Sequence, residues 1–354
     1  MGETMYIVDG TRTPFCKYGT DFIDQSAANL GISAVKSLLT LTGIKNEDVD
    51  EVIFGCVGQP ADTMNIARVI SVLSNIPAEV PAVTVHRNCA SGFEAITYAC
   101  NQAQANGGDV FIVGGTENMS RMPFMYPFSA VKKFIGLSKS RSIIQKIQNL
   151  LKFRIRDFAP EVGLKLGLSD IICNMNMGET AELLAREINI SRKEQDIFAE
   201  NSHQKTLIAK NILKEEISPV YLRNDDCIKS FDSKYVDTDN GPRIDSTVTK
   251  LSTLRTVFDK KGTVTAGNSS QITDGAVALL LMTKKGLKKT GCEPIGEITS
   301  YGYTGCDPSR MGLGPVHAIK KLERDVADAD LIEINEAFAA QTLACQKILK
   351  IPSE

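Results

Sequence analysis

From Glu51 to Gly115, short apolar runs of strand character alternate with runs of helical spacing. Glu51-Val52-Ile53-Phe54-Gly55, Val80 to Val85 and Asp109-Val110-Phe111-Ile112-Val113-Gly114-Gly115 are strand-like, with helix-like Asn65 to Leu73 and Gly92 to Cys100 between them. Met5 to Val8 adds an earlier strand. Ala27 to Leu41 adds a helix whose Leu30, Ile32, Val35, Leu38 and Leu39 share one side. Strands alternating with helices bury both faces of a sheet, which predicts an α/β layered fold with a mainly parallel sheet. A chain of 354 residues is long enough for about two domains.

Residues 120 to about 249 break this rhythm with a helix-rich insertion. Its first part, 121–156, carries Arg121, Lys132, Lys133, Lys139, Arg141, Lys146, Lys152, Arg154 and Arg156 and no acidic residue. Ile143, Ile144, Ile147, Leu150 and Leu151 fall on one stripe of a helix there. The simplest reading is a solvated basic face whose stripe packs on its own domain; an anionic membrane surface or a partner protein is the alternative. Met177 to Ile188 and Ser191 to Lys210 follow as amphipathic helices, the second opening on a Ser191/Glu194 capping box. Gly262 to Met282 returns to glycine-punctuated strand sequence, and Pro294 to Tyr301 starts a new unit. That unit echoes the first: Ser33 to Leu38 matches His317 to Leu322, and Asp48 to Ile53 matches Asp328 to Glu333. The pattern is that of an internal duplication.

The net charge of −2 excludes a global basic footprint, so no nucleic-acid partner is expected. No apolar run is long enough to span a bilayer, and the acidic N-terminus is no signal peptide. Nine scattered cysteines without Cys-x-x-Cys spacing predict free thiols in a reducing, cytoplasmic setting, and neither a disulfide framework nor zinc. One of them, Cys89, sits in Val85-His86-Arg87-Asn88-Cys89-Ala90-Ser91-Gly92, a strand-to-helix turn. Free N–H groups and the helix dipole favour a thiolate there. Ala90, Ser91 and Gly92 leave room for another backbone or a ligand. A small packing cysteine is the other reading of Cys89. The helix that follows has one charge, Glu94, between Gly92 and Cys100, and is predicted to be buried on most sides.

With Asn88-Cys89-Ala90-Ser91-Gly92 in place, the chain resembles the thiolase family. Further segments in the family's order are Arg12-Thr13-Pro14-Phe15, Asn65-Ile66-Ala67-Arg68, Gly114 to Ser120, Met177 to Glu182, Gly262 to Ser270, Met311 to Pro315 and Asn335-Glu336-Ala337-Phe338-Ala339. The basic insertion, with Phe153 to Pro160, looks most like the β-subunits of fatty-acid oxidation complexes. Asn335-Glu336-Ala337-Phe338 resembles the more general thiolases, and argues against ketoacyl synthases and hydroxymethylglutaryl-CoA synthases. The resemblance implies a duplicated βαβαβ fold. On this reading 1–119 with 250–285 form the N-terminal half, 120–249 a loop domain covering coenzyme A, and 286–354 a truncated C-terminal half. It implies acyl transfer between 3-ketoacyl-CoA and CoA through a Cys acyl-enzyme, or the reverse Claisen condensation, with β-oxidation as the setting. Coenzyme A is then a substrate and no cofactor or metal is needed. Acyl-CoA, a second copy of the chain and a β-oxidation complex partner or a membrane surface at 121–156 are the expected partners.

Residue by residue, the resemblance implies Cys89 as the acylated nucleophile and Asn335 as the holder of an oxyanion-hole water. Asn335 otherwise reads as a helix cap after a strand Leu331 to Ile334. Arg243, Gly267, Ser269 and Ser270 correspond to the CoA loop, Met177 to the pocket, and Phe338 to its acyl wall or to ordinary core. Family members carry a Gly-His-Pro segment and a second reactive Cys after Asn-Glu-Ala-Phe-Ala; these 354 residues contain neither. His86, taken as lying on a strand with Cys89, is expected to point away from it. His317 reads as helix surface and Cys345 as packing. The alternative to an active enzyme is therefore an inactive thiolase-like remnant, with its last apolar helix around Leu343 and Ile348 exposed.

Overall fold

A computed structural model describes residues 3–222, 234–322 and 324–352; Cys227 lies outside them. Two compact units emerge, Met1–Arg121 with Gly178–Glu354, and Met122–Met177.

The larger unit is built on one sheet of β1 (Met5–Arg12), β2 (Cys16–Lys17), β3 (Glu51–Gly55), β4 (Ala82–Val85), β5 (Val110–Asn118), β6 (Thr273–Thr283) and β7 (Gly296–Ile298). The order is β7-β1-β6-β5-β3-β4, with β2 also paired to β6. Only β5, β3 and β4 run parallel. The expectation of a mainly parallel sheet fails because β6 inserts antiparallel to both β1 and β5, and β7 pairs antiparallel with β1.

Successive strand residues serve opposite faces, which is why the runs read as continuously apolar. Val52 and Phe54 join Ile112, Leu280 and Met282 under α1 (Ala27–Thr42) and α2 (Ile66–Leu73). Ile53, Val113 and Leu281 face α3 (Ser91–Gln104) through Ala95 and Ala99. A third core joins α4 (Met177–Glu187) to α6 (Ala339–Leu349) through Leu184, Val264, Ala340 and Ala344. Between these helices in the chain, α5 (Arg192–Ile208) carries the expected capping box, with Ser191 and Glu194 each bonding the other's backbone N–H.

The duplication survives in part. Helix Gly314–Lys321 and the 3-10 turn Val326–Asp328 repeat the order of α1 and Asn46–Asp48. Leu331 to Ile334, however, forms no strand, and Leu331 is 92% exposed. Among the described residues no strand pairs with it. The expected exposure of the last helix holds only at Ile348, which is 36% exposed: Ala340, Ala344 and Cys345 of α6 are fully buried and Leu343 packs on the third core.

The Met122–Met177 unit has its own small core. Phe134 packs against Tyr126 at 5.1 Å and Phe153 at 4.8 Å. Buried Asp157 accepts from Lys133 at 2.6 Å and from the Arg154 N–H at 2.6 Å. The stripe Ile143, Ile144, Ile147, Leu150 and Leu151 is exposed at every position, so it does not pack on its own domain. Among the described residues no helix is long and apolar enough to cross a membrane.

Candidate active site

The carboxyl ends of parallel β3, β4 and β5 and the start of antiparallel β6 share one edge of the sheet. Loops at such an edge are where open α/β sheets place their ligands. Two groups of candidate residues lie on these loops.

Cys89 lies just after β4 and two residues before α3, with an exposed, free thiol. Asn88 takes φ +45°, the left-handed region that Asn tolerates better than most residues. The turn is closed by the Ala90 N–H on Arg87 O at 3.0 Å and the Ser91 N–H on Asn88 O at 3.0 Å. The Ser91 hydroxyl donates to Asn88 O at 2.6 Å and accepts the Arg87 N–H at 2.9 Å. Arg87 is ion-paired to Glu94 and lies 4.2 Å from the Tyr303 ring centroid. The close approach to the turn is made possible by Gly55 on β3, where a Cβ would come within 2.4 Å of the Ser91 carbonyl carbon, whereas a Cβ on Gly92 would meet nothing within 4 Å. From Ser91 to Cys100, α3 is buried or half-buried except at Phe93.

The placement of His86 differs from expectation. β4 ends at Val85, so His86 belongs to the turn and strand alternation does not apply. It is exposed, and its Nδ1 accepts the Asn88 N–H at 3.4 Å. Behind the turn, Glu117 on β5 accepts from the Val57 and Gly58 N–H groups at 2.8 and 2.9 Å. Burial pushes its carboxyl up, against those two bonds and the nearby His86.

The second group centres on Gly262 to Ser270. Ser269 pairs with Phe338 in an antiparallel bridge. The Ser270 N–H donates to Ala337 O at 2.9 Å, and the Ala339 N–H to Asn268 O at 3.0 Å. The structure therefore brings Ser269, Ser270 and Phe338 together, with Asn335 three residues from Phe338 on an exposed segment. The Asn335 carbonyl accepts from the Ala337 N–H at 3.0 Å, and its side chain caps no helix. Phe338 is half-buried and meets Phe258 edge-on at 6.0 Å. A Cβ on Gly178 would come within 2.3 Å of the Phe258 ring, so the start of α4 holds that pair closely. Met177, half-buried, opens the same helix. The segment that carries Arg243 joins through two contacts: the Arg243 N–H donates to His203 Nδ1 at 3.3 Å, and Gln271 Nε2 donates to Gly241 O at 2.6 Å. The Arg243 guanidinium is exposed and held by Asp245 at 3.2 Å. Burial, then Arg243, pushes the half-buried His203 down. One residue earlier on α5, the Ser202 hydroxyl donates to Glu336 Oε2 at 2.6 Å.

Two buried carboxylates that sequence reasoning missed hold this loop. Glu182 on α4 accepts the Thr263 N–H at 2.8 Å and the Val264 N–H at 2.7 Å. Asp196 on α5 accepts from Asn268 Nδ2 at 3.0 Å and pairs with Arg192 at 2.8 Å. Asn268 Oδ1 in turn accepts the Thr265 N–H at 2.7 Å. Gly267 sits in that turn, where its missing Cβ makes room for Leu251 and Leu254. The only sequence signal was a carboxylate on an otherwise buried helix face.

Other candidates are structural. Arg12 reaches Glu216 at 2.6 Å and Asp239 at 2.8 Å, tying the end of β1 to distant loops. His317 is exposed on its helix. Cys345 is buried, contacts Gly312 O at 3.2 Å, and has its thiol pushed up by burial. Two open hollows, about 330 Å³ beside Met5, Cys100 and Tyr301 and about 420 Å³ beside Ala185, Ile190 and Thr263, are lined by none of the expected site residues.

Known proteins resemble this chain in sequence and in fold. The profile of the thiolase N-terminal domain matches residues 5–285, and that of the thiolase C-terminal domain matches 292–354. The chain is 36% identical over 349 residues to a probable acetyl-CoA acyltransferase of Staphylococcus aureus (strain COL), covering 97% of this chain and 83% of the relative. A relative of the same description from Staphylococcus epidermidis is 36% identical over 354 residues, covering 98% and 84%. The crystal structure of the Bacillus anthracis acetyl-CoA acetyltransferase superposes with a TM-score of 0.87 at 32% identity, covering 99% of this chain and 84% of that one. That of human mitochondrial 3-ketoacyl-CoA thiolase in complex with CoA gives 0.85 at 32% identity, covering 99% and 83%. The expectation of an inactive remnant finds no support here, because the family's C-terminal domain is matched as well as its N-terminal one. With both family domains matched and the fold shared, the chain belongs to the thiolase family.

Proposed function

We propose that this thiolase-family acyltransferase moves acyl groups between 3-ketoacyl-CoA and CoA through Cys89. The observation that carries the proposal is an exposed, free thiol on a closed strand-to-helix turn, at the edge of the sheet where open α/β folds place their ligands. In the degradative direction, the Cys89 sulfur forms a thioester with C3 of the ketoacyl chain. The C2–C3 bond breaks, its electron pair becomes the enolate of acetyl-CoA, and that enolate takes a proton that balances the one the Cys89 thiol loses. The thiol of a second CoA then attacks the thioester and releases the shortened acyl-CoA, freeing Cys89, to which the proton of the CoA thiol returns. Splitting the reaction in two replaces one difficult carbon–carbon cleavage by two easier steps.

Asn335 is assigned to hold a water facing the thioester oxygen where enolate charge develops. Arg243 would meet the phosphate or adenine end of CoA, Ser269 and Ser270 its pantetheine arm, and Met177 and Phe338 the acyl pocket. Gly267 sets the path of the loop. CoA enters as substrate, and no further cofactor is assigned. The halves would divide at about 285, with 120–249 over the CoA. Fatty-acid β-oxidation is the proposed setting, in a homo-oligomer. A cytoplasmic location is supported by the eight described cysteines, all free thiols.

Incubation with acetyl-CoA followed by acid quench and mass spectrometry tests the nucleophile. One acetyl group is expected on the peptide containing Cys89, and none in Cys89→Ser. Acetylation elsewhere, or none, refutes the assignment. Loss of the acetoacetyl-CoA enolate absorbance on adding CoA tests turnover.

A further inference from the structure

The Met122–Met177 unit carries a surface that acyl transfer does not use. Helix Ile143–Leu150 presents Ile143, Ile144, Ile147 and Leu150, followed by Leu151, as one contiguous stripe. These side chains are between 54% and 80% exposed. A contiguous apolar stripe of this size marks a surface that something covers. The helix is held from its far side: Asn149, opposite the stripe on the helical wheel, donates to Gly136 O at 3.1 Å and to Ser140 Oγ at 2.9 Å. The stripe is therefore free to face outward while the helix stays attached.

The charge around the stripe selects what covers it. Residues 121–156 hold nine Lys and Arg and no Asp or Glu. Lys139, Arg141, Lys146 and Lys152 are exposed, and among the described residues none of them forms an ion pair. A second copy would bring the same positive face against itself, which like-charge repulsion opposes. A neutral surface would gain nothing from the cations. An anionic bilayer meets both features, taking the apolar stripe at the acyl boundary and the Lys and Arg side chains at its headgroups. At eight residues the helix is far too short to cross a bilayer. It fits an in-plane position instead.

We infer that the Met122–Met177 unit docks peripherally on anionic lipid through the stripe of helix Ile143–Leu150. This does not depend on the acyl-transfer assignment.

The whole chain can be tested by co-sedimentation with vesicles of phosphatidylcholine alone and with about one quarter phosphatidylglycerol. Binding to the anionic vesicles is expected to be at least about tenfold tighter, and to weaken at high salt. Two variants at exposed positions, I143S/I144S/I147S/L151S and K139E/R141E/K146E/K152E, are each expected to lose at least about tenfold, with far-UV circular dichroism unchanged. The chain has no tryptophan, so Ile147→Trp supplies a single fluorophore that should shift to the blue on anionic vesicles only. The inference is overturned by equal binding to neutral vesicles, by unchanged binding in the four-serine variant, or by no blue shift. It is equally overturned if vesicles are ignored while the four-serine variant halves the particle mass in solution, which would place the stripe against a second copy.

Discussion

Glu182→Ala removes the acceptor of two backbone N–H groups from a site that water does not reach. Glu182 is 1% exposed, and its carboxylate takes the Thr263 N–H at 2.8 Å and the Val264 N–H at 2.7 Å, with the Thr263 hydroxyl at 3.3 Å. Each N–H left without an acceptor costs roughly 1–3 kcal/mol, for a plain total of roughly 2–6. The space left by the side chain lets water recover part of this, which places Glu182→Ala at about 3–4 kcal/mol of destabilisation. Both N–H groups bond the same oxygen, Oε1, so Glu182→Gln keeps the shape and, with its amide oxygen there, the acceptor of both, while its NH2 meets the Thr263 hydroxyl; less than about half that loss is expected. Urea unfolding followed by circular dichroism measures both. Because the loop that Glu182 holds carries Ser269 and Ser270, KM for CoA should rise more than kcat falls. A Glu182→Ala protein within about 0.5 kcal/mol of the parent, or a glutamine variant worse than alanine, refutes this account of what holds the loop.

Two further outcomes follow from the same contacts. Glu194, bonded by Ser191 and then by Lys347, has its carboxyl pulled down to about 2 from an ordinary 4.5. A depressed folded-state pKa stabilises above the unfolded value and is lost as pH falls toward the folded one. Glu194→Gln should therefore flatten the acid dependence of stability between pH 4.5 and about 2, and parallel acid-unfolding curves for parent and variant count against it. Gly55→Ala should push the Ser91 backbone away and distort the Cys89 turn, slowing Cys89 alkylation by iodoacetamide by about tenfold; an unchanged rate refutes the role given to that close approach.

Local pattern carried much of the fold. The strand at Glu51–Gly55, the helices beginning at Ala27 and Met177, and the Ser191 cap were legible because each is set by residues within a turn or two of one another. The direction of β6 was not, since nothing within Thr273–Thr283 says that it lies between two strands that precede it by long stretches of chain. The strand-to-helix turn at Cys89 was legible because the strand before it and the helix after it lie within a few residues. His86 was misplaced by a strand boundary only one residue long. Glu182 and Asp196 were not legible because their donors lie some 70–80 residues away, the Thr263 and Val264 N–H groups for Glu182 and the Asn268 side-chain amide for Asp196. Of the last helix, Ile348 is exposed as expected, but the burial of Ala340, Ala344 and Leu343 was not legible because the surface on α4 that receives them lies some 150 residues earlier.

The position of β6 fixes an order of events during synthesis. This strand sits between β1 and β5, yet about 155 residues separate it from the end of β5. At about 5–20 residues per second, a ribosome takes roughly 8–30 s to make that stretch. Through that interval β1 and β5 each present an open backbone edge to the cell, with the long basic insertion emerging beside them. The nascent chain is thus most vulnerable to pairing with a neighbour well before any acyl group can be bound, and chaperone holding of the first half through that interval would protect its yield.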